Sequence, residues 1–405
     1  MPVLPYFEGA ILSVLGFGLL EQRLMNAALS IVVLALVSTF RWRRGWSFVA
    51  GCVIALTPGW SYSSTTGKTF GIAQLFMTCA LICALAGPSR IRVPGCALAC
   101  FGAAGSRLLL LPVTILIGVV LAAPFKTFGR RVVVASLCIV PILAVLAAAL
   151  LAWPERSQFW LFTYHGGRGA SDRDVSGALL FAPAPLLLAL VAIAAAFSAR
   201  RWTAALVAGV GLVLLAIAQG FGPGFEPEYL TPFIAPVAMA SVAILSGLPS
   251  IRQHAWTSTW LGLVLLPAVL FRLHPSLTGP DDATLHRDAD ATVAYLRANV
   301  PSGSAVLSPV PSIPLEAGLS LYPGSEIGPF AATDELAPEV AARVRLIARR
   351  TLIEEVGEQK IPCVVVFRIL PEVGTGCSAL SLRFPPGTTL RDVESAFSRL
   401  TSLSS

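Results

Sequence analysis

The chain has 405 residues, 55% of them hydrophobic and only 13% charged, with a mean hydropathy of +0.76. Soluble domains carry charge on roughly a quarter of their residues, so a soluble enzyme is excluded for most of the length. The net charge of +7 divides into +11 over residues 1–274 and −4 over residues 275–405, with the basic residues scattered over short loops, which excludes a nucleic-acid partner.

Taken in order, residues 9–20 form an apolar lead-in of about twelve residues, too short to cross a bilayer. They predict an interfacial helix, the alternative being one tilted helix or a tight hairpin over 9–40. Spans are predicted at 24–40, 46–60, 71–87, 91–104, 107–123, 132–153, 178–197, 203–219, 231–248 and 256–273. Five alternate loops, holding Arg41/Arg43/Arg44, Arg90/Arg92, Lys126/Arg130/Arg131, Arg200/Arg201 and Arg252, contain eleven basic residues and no acidic one. The positive-inside rule makes these loops cytoplasmic. All seven acidic residues of the first part then fall outside, with the C-terminal part. The N-terminus falls outside too with no apolar segment before it, so an upstream span is expected.

The eight cysteines make no disulfide framework in a chain this long. Cys79/Cys83 and Cys96/Cys100 are helical i, i+4 pairs in apolar runs and read as small packing residues. Cys363 and Cys377 lie in the polar part, where an oxidising compartment would let them pair.

After His274 the pattern changes. Residues 283–300 carry Leu285, Ala289, Val293, Leu296 and Val300 on one helical face, Ala305–Leu307 predicts a short strand, and Asp334–Val356 predicts a second helix. Pro362–Phe367 predicts a buried strand and 390–399 a last helix. The expected fold is an α-helical polytopic membrane protein of about ten spans. Residues 1–274 form the membrane domain, and 275–405 a small extracytoplasmic α/β domain with no metal-ligand spacing and no phosphate loop.

Several residues invite a chemical reading. Gly67-Lys68-Thr69 is not the tail of a phosphate loop, because the glycine needed five residues earlier is Tyr62. Gly220-Phe-Gly-Pro-Gly-Phe follows no predicted strand and reads as a supple external loop. Lys68 and Arg107 are isolated cations at outer span ends, suited to snorkelling or to a lipid phosphate. The polar stretch 154–177 gathers Glu155, Arg156, His165, Arg168, Asp172, Arg173 and Asp174 beside aromatic residues, an arrangement suited to an anionic lipid head. Within it, Tyr164-His165-Gly-Gly-Arg168 offers two phosphate donors on backbone that a ligand can approach, unless it is a plain solvated loop. Glu228 and Tyr229 open another external span, as loop polarity or as groups facing the same cavity.

Together with Pro5–Gly18, Arg23-Leu-Met-Asn, Arg41-Trp-Arg-Arg, Gly105-Ser-Arg107 and Glu228-Tyr-Leu-Thr-Pro-Phe, these stretches resemble the GT-C superfamily of polytopic glycosyltransferases. Protein O-mannosyltransferases and lipid A aminoarabinose transferases belong to it. The resemblance implies a polyprenyl-phosphate-linked sugar as donor substrate and a glycan, lipid or protein acceptor, and it assigns no particular cofactor. It also implies inversion with an external-loop acid as base, and His165 and Arg168 on the phosphate. The family's acid in the first external loop has no counterpart here, nor has the acid of the second, since residues 61–71 hold only Lys68. Glu8 is the acid that the lead-in retains. The expected function is therefore a glycosyltransferase of the plasma (inner) membrane. The alternatives are a non-catalytic scaffold or accessory subunit of a cell-envelope glycan pathway and, lacking repeats and mid-span charges, last a transporter.

Overall fold

The computed structural model describes residues 3–15, 19–40, 46–65, 70–86, 91–159, 182–200, 202–220, 227–248, 282–308, 310–325, 332–333, 336–357, 363–370 and 376–382. Two compact units result. One comprises Met1–Leu15, Glu21–Pro154 and Phe162–Leu277; the other Gly16–Leu20, Glu155–Leu161 and Thr278–Ser405. The predicted span 256–273 and helix 390–399 lie outside the described residues.

The first unit is helical. Its elements are α1 (Val3–Leu15), α2 (Leu19–Thr39), α3 (Trp46–Ala55), α4 (Pro58–Thr65), α5 (Phe70–Leu85) and α6 (Arg92–Ser106). A 3-10 turn (Leu108–Leu110), α7 (Leu111–Ala122) and α8 (Phe128–Ala152) follow. The short α9 (Pro154–Gln158) belongs, from Glu155 on, to the second unit; the first continues with α10 (Pro183–Ser198), α11 (Ala204–Gly220), a 3-10 turn (Pro227–Leu230) and α12 (Thr231–Ser246). Among the described residues, two helices are long and apolar enough to cross a membrane, Leu20–Thr39 and Phe128–Ala152, and six further apolar helices have 10–17 residues.

Burial separates the helices by role. On α8 only Val134, Cys138 and Ile142 are buried, a single i, i+4 stripe. Val132, Val133, Leu137, Val140, Leu143 and Leu151 are exposed, a surface that suits lipid and not water. By contrast α12 is buried from Thr231 to Val242 and packs against α3, α5, α10 and α11. It is the axis of this unit.

The predicted span 46–60 is two helices. Pro58 brings no N–H and starts a new helix at α4, while the Thr57 hydroxyl donates to Val53 O at 2.6 Å and closes α3.

The second unit carries α13 (Asp282–Asn299), β1 (Ala305–Leu307), α14 (Ser312–Glu316), β2 (Ser320–Leu321), β3 (Ala332–Thr333), α15 (Pro338–Arg343), β4 (Ile347–Ala348), α16 (Arg349–Gly357), β5 (Cys363–Leu370) and β6 (Gly376–Leu382). Strand order in the larger sheet is β2-β1-β5-β6; β1 runs parallel to both neighbours and β6 antiparallel to β5. Val293 and Leu296 of α13, with Val300 just after it, pack on Val306, Ile313 and Leu319. The register excludes a Cys363–Cys377 disulfide. Cys377 stands opposite Ile369, six residues along β5 from Cys363, about 20 Å at strand rise, far beyond disulfide reach.

The predicted helix 334–356 is also broken, and the reason is specific. Leu346 N–H donates to Ala341 O at 2.8 Å and Arg345 N–H to Ala342 O at 3.2 Å, the paired bonds of a Schellman helix end. The left-handed position, normally glycine, is Arg345 at φ 59°. Arg200 ends α10 in the same way, at φ 50°. A β-branched side chain is strained there by about 1–2 kcal/mol, so Arg345→Val is expected to lower the melting temperature of the protein and Arg345→Gly is not. Equal melting temperatures for the two variants would contradict this backbone assignment.

The start of the polar stretch 154–177 is committed to the second unit. Phe159 packs with Ala341, Val344, Leu346 and Ala348. The Arg156 guanidinium donates to Arg343 O (3.1 and 3.3 Å), and Glu155 pairs with Arg343 at 3.1 Å. Glu155 and Arg156 thus contact the end of α15. The pair is more than half exposed and contributes little by itself; the apolar contact of Phe159 is the firmer anchor.

Candidate functional site: an arginine on two aromatic rings

Three chain ends meet in the first unit. Helix α6 stops where Arg107 turns extended (φ −144°, ψ 114°), α5 begins at Phe70, and the 3-10 turn carrying Tyr229 leads into α12. The Arg107 guanidinium carbon lies 3.7 Å from the Phe70 ring centroid and 5.7 Å from that of Tyr229. The two rings are 6.4 Å apart and tilted by 54°. Stacking on a ring is worth about 0.5–2 kcal/mol. It uses the faces of the guanidinium, so the cation is fixed in orientation by the two rings. Phe70 is fully buried, and Nε of Arg107 is buried with it.

Below this end, α5 carries Gly71, Gln74 and Thr78 on one face by i, i+3, i+7 spacing. A Cβ at Gly71 would come within 2.7 Å of Asn26 Oδ1, so the glycine admits the amide of α2. Gln74, Thr78 and Thr231 are buried, and so is Ser30, one turn after Asn26 on α2. Helical hydroxyls usually fold back on the preceding turn, as Ser241 does on Val237 O (2.7 Å) and Ser106 on Gly102 O (2.6 Å). The hydroxyls of Ser30, Thr78 and Thr231 and both amide atoms of Gln74 have no hydrogen-bond partner among the described residues. Each such buried group costs about 1–3 kcal/mol until something polar meets it.

Among the residues singled out in the sequence, Arg107 and Tyr229 come together here. Glu228 precedes Tyr229 in the 3-10 turn. Lys68, two positions before Phe70, lies outside the described residues, as do Tyr164, His165 and Arg168. Glu8 is on α1, whose Phe7 meets Phe76 of α5 edge-on at 5.9 Å. Phe70 and Gln74 escaped the sequence reading, since an aromatic and an amide inside an apolar run look like core.

No protein-family model matches the chain, and no curated protein sequence matches it. Solved structures do match in fold. ArnT from Cupriavidus metallidurans in the apo state is 13% identical with a TM-score of 0.52, over 85% of this chain and 77% of that one. ArnT from the same organism bound to undecaprenyl phosphate gives 13% and 0.54, over 84% and 76%. In fold, this chain resembles ArnT over most of its described length.

Proposed function

We propose that the chain is a membrane glycosyltransferase that moves a sugar from a polyprenyl-phosphate donor to an extracytoplasmic acceptor. The observation that carries this reading is the cation held on Phe70 and Tyr229, in a fold shared with a protein solved with undecaprenyl phosphate. Arg107 would meet the phosphate, where negative charge grows as the glycosidic bond breaks. Lys68, His165 and Arg168 would supply further positive charge, and Tyr164 an interfacial ring. Gln74, Ser30, Thr78 and Thr231 take hydroxyls of the sugar. Glu8 and Glu228 are the acids from which the base that deprotonates the acceptor is to be sought. The membrane part, residues 1–274, then crosses the inner membrane about ten times. The polar part, residues 275–405, stands outside and recognises the acceptor, and membrane lipids surround the rest.

The test is donor retention. The purified protein is expected to keep polyprenyl phosphate through detergent exchange, seen by native mass spectrometry, and to gain thermal stability when undecaprenyl phosphate is added. His165→Ala and Arg168→Ala are each expected to weaken that gain several-fold with the unliganded melting temperature unchanged. A wild-type protein that neither retains nor responds to the lipid would end this reading.

A further inference from the structure

Away from the arginine site, three cysteines converge. Cys96 and Cys100 sit one turn apart on α6, and Cys138 comes from the single buried stripe of α8. All three are buried free thiols, and their Sγ atoms lie within 4.8 Å of one another. The packing fixes the third thiol. A Cβ at Gly118 of α7 would lie 3.2 Å from both Ala135 O and Cys138 Cβ, so the bare glycine is what lets α8 come this close. The sulfurs also stand near a shared partner: a d10 ion bonded to each at about 2.3 Å would draw them together by at most about 1 Å.

We propose that Cys96, Cys100 and Cys138 form a three-thiolate site for Cu(I). Thiolates favour soft cations, Cu(I) and Zn(II) foremost. Zn(II) takes a fourth ligand, protein or water, and among the described residues no histidine or carboxylate joins the three sulfurs. Cu(I) is satisfied by three. Each coordinating thiol releases its proton as the S–Cu bond forms, and the metal keeps its oxidation state. Charge favours the same end of α6: Arg92, one turn before Cys96, is held there by bonds to Cys83 O (3.0 Å) and Ala84 O (2.7 Å) and offsets part of the negative charge. The bound ion would clamp α6, the helix that ends in Arg107, to α8.

Anaerobic titration of the full-length protein with Cu(I), against bathocuproine disulfonate as competitor, tests the site. The wild type is expected to withdraw one equivalent and to show a Cu(I)-dependent rise in melting temperature. Cys100→Ser and Cys138→Ser are each expected to lose at least ten-fold in affinity, and Cys52→Ser is expected to match the wild type. A metal-free melting temperature close to wild type shows that a variant is folded; should Cys100→Ser fail that control, Cys96→Ala and Cys138→Ala carry the comparison. The proposal is overturned if the wild type withdraws no copper, if the cysteine variants bind as it does, or if Zn(II) is held more firmly than Cu(I).

Discussion

Arg107→Ala is expected to slow release of polyprenyl phosphate from a lipid-linked sugar by about 100-fold or more, the usual cost of one donor at a developing oxyanion. Because that charge grows as the bond breaks, the loss falls mainly on kcat and less on KM. Arg107→Lys restores little, since an ammonium neither stacks as a plane nor offers the paired donors of a guanidinium. Phe70→Leu, which keeps apolar bulk and removes the ring, is expected to fall between, at about 10-fold, by loosening the cation. Initial rates across a panel of lipid-linked pentoses and hexoses, with released lipid phosphate as readout, measure all three whatever the acceptor. Turnover within three-fold of wild type in Arg107→Ala would remove this residue from the phosphate site.

Gln74→Leu has two expected effects of opposite sign. Gln74 is fully buried with neither amide atom partnered among the described residues, so an apolar side chain of similar size removes the burial cost of that amide. The protein should become more stable by about 1–2 kcal/mol. If the amide serves sugar hydroxyls, the same change lowers kcat/KM by about ten-fold or more, because the hydroxyls then lose their partner. Stability rising while activity falls is the signature of a group kept for function. Melting temperature and initial rate on one preparation decide it. A loss of stability with activity retained would mean that Gln74 serves the fold.

Hydropathy and charge made the helices legible, because apolar length and the placement of arginines are local properties of the chain. The helix ends were harder. The break at Thr57-Pro58 hides within an apolar run, and the end of α15 hides because Arg345 takes the left-handed position where glycine would have announced it. Charge was also misleading in one place: Glu155 and Arg156 read as part of a lipid-facing stretch, yet their partner is Arg343, nearly 190 residues later. The candidate site was half legible. Arg107 and Tyr229 stood out as polar groups at span ends, whereas Phe70 acquires meaning only from the cation above it. The Cys96/Cys100 pair does pack in the core as its apolar run suggests, but the approach of Cys138 from another helix was not legible in the spacing.

The one-sided burial of α8 has a consequence for the choice of lipid. Its run from Val132 to Ala152, free of charge and apolar but for Ser136, is about 31 Å long at helical rise, close to the hydrocarbon thickness of an ordinary bilayer, about 30 Å. Arg130 and Arg131 stand just before it and Trp153, 61% exposed, just after it, the residue types that anchor at the two headgroup layers. On the proposed membrane reading, the helix is expected to respond to membrane thickness. In lipids with shorter acyl chains it must tilt to stay covered, pivoting on the tight contact of Gly118 with Ala135 and Cys138.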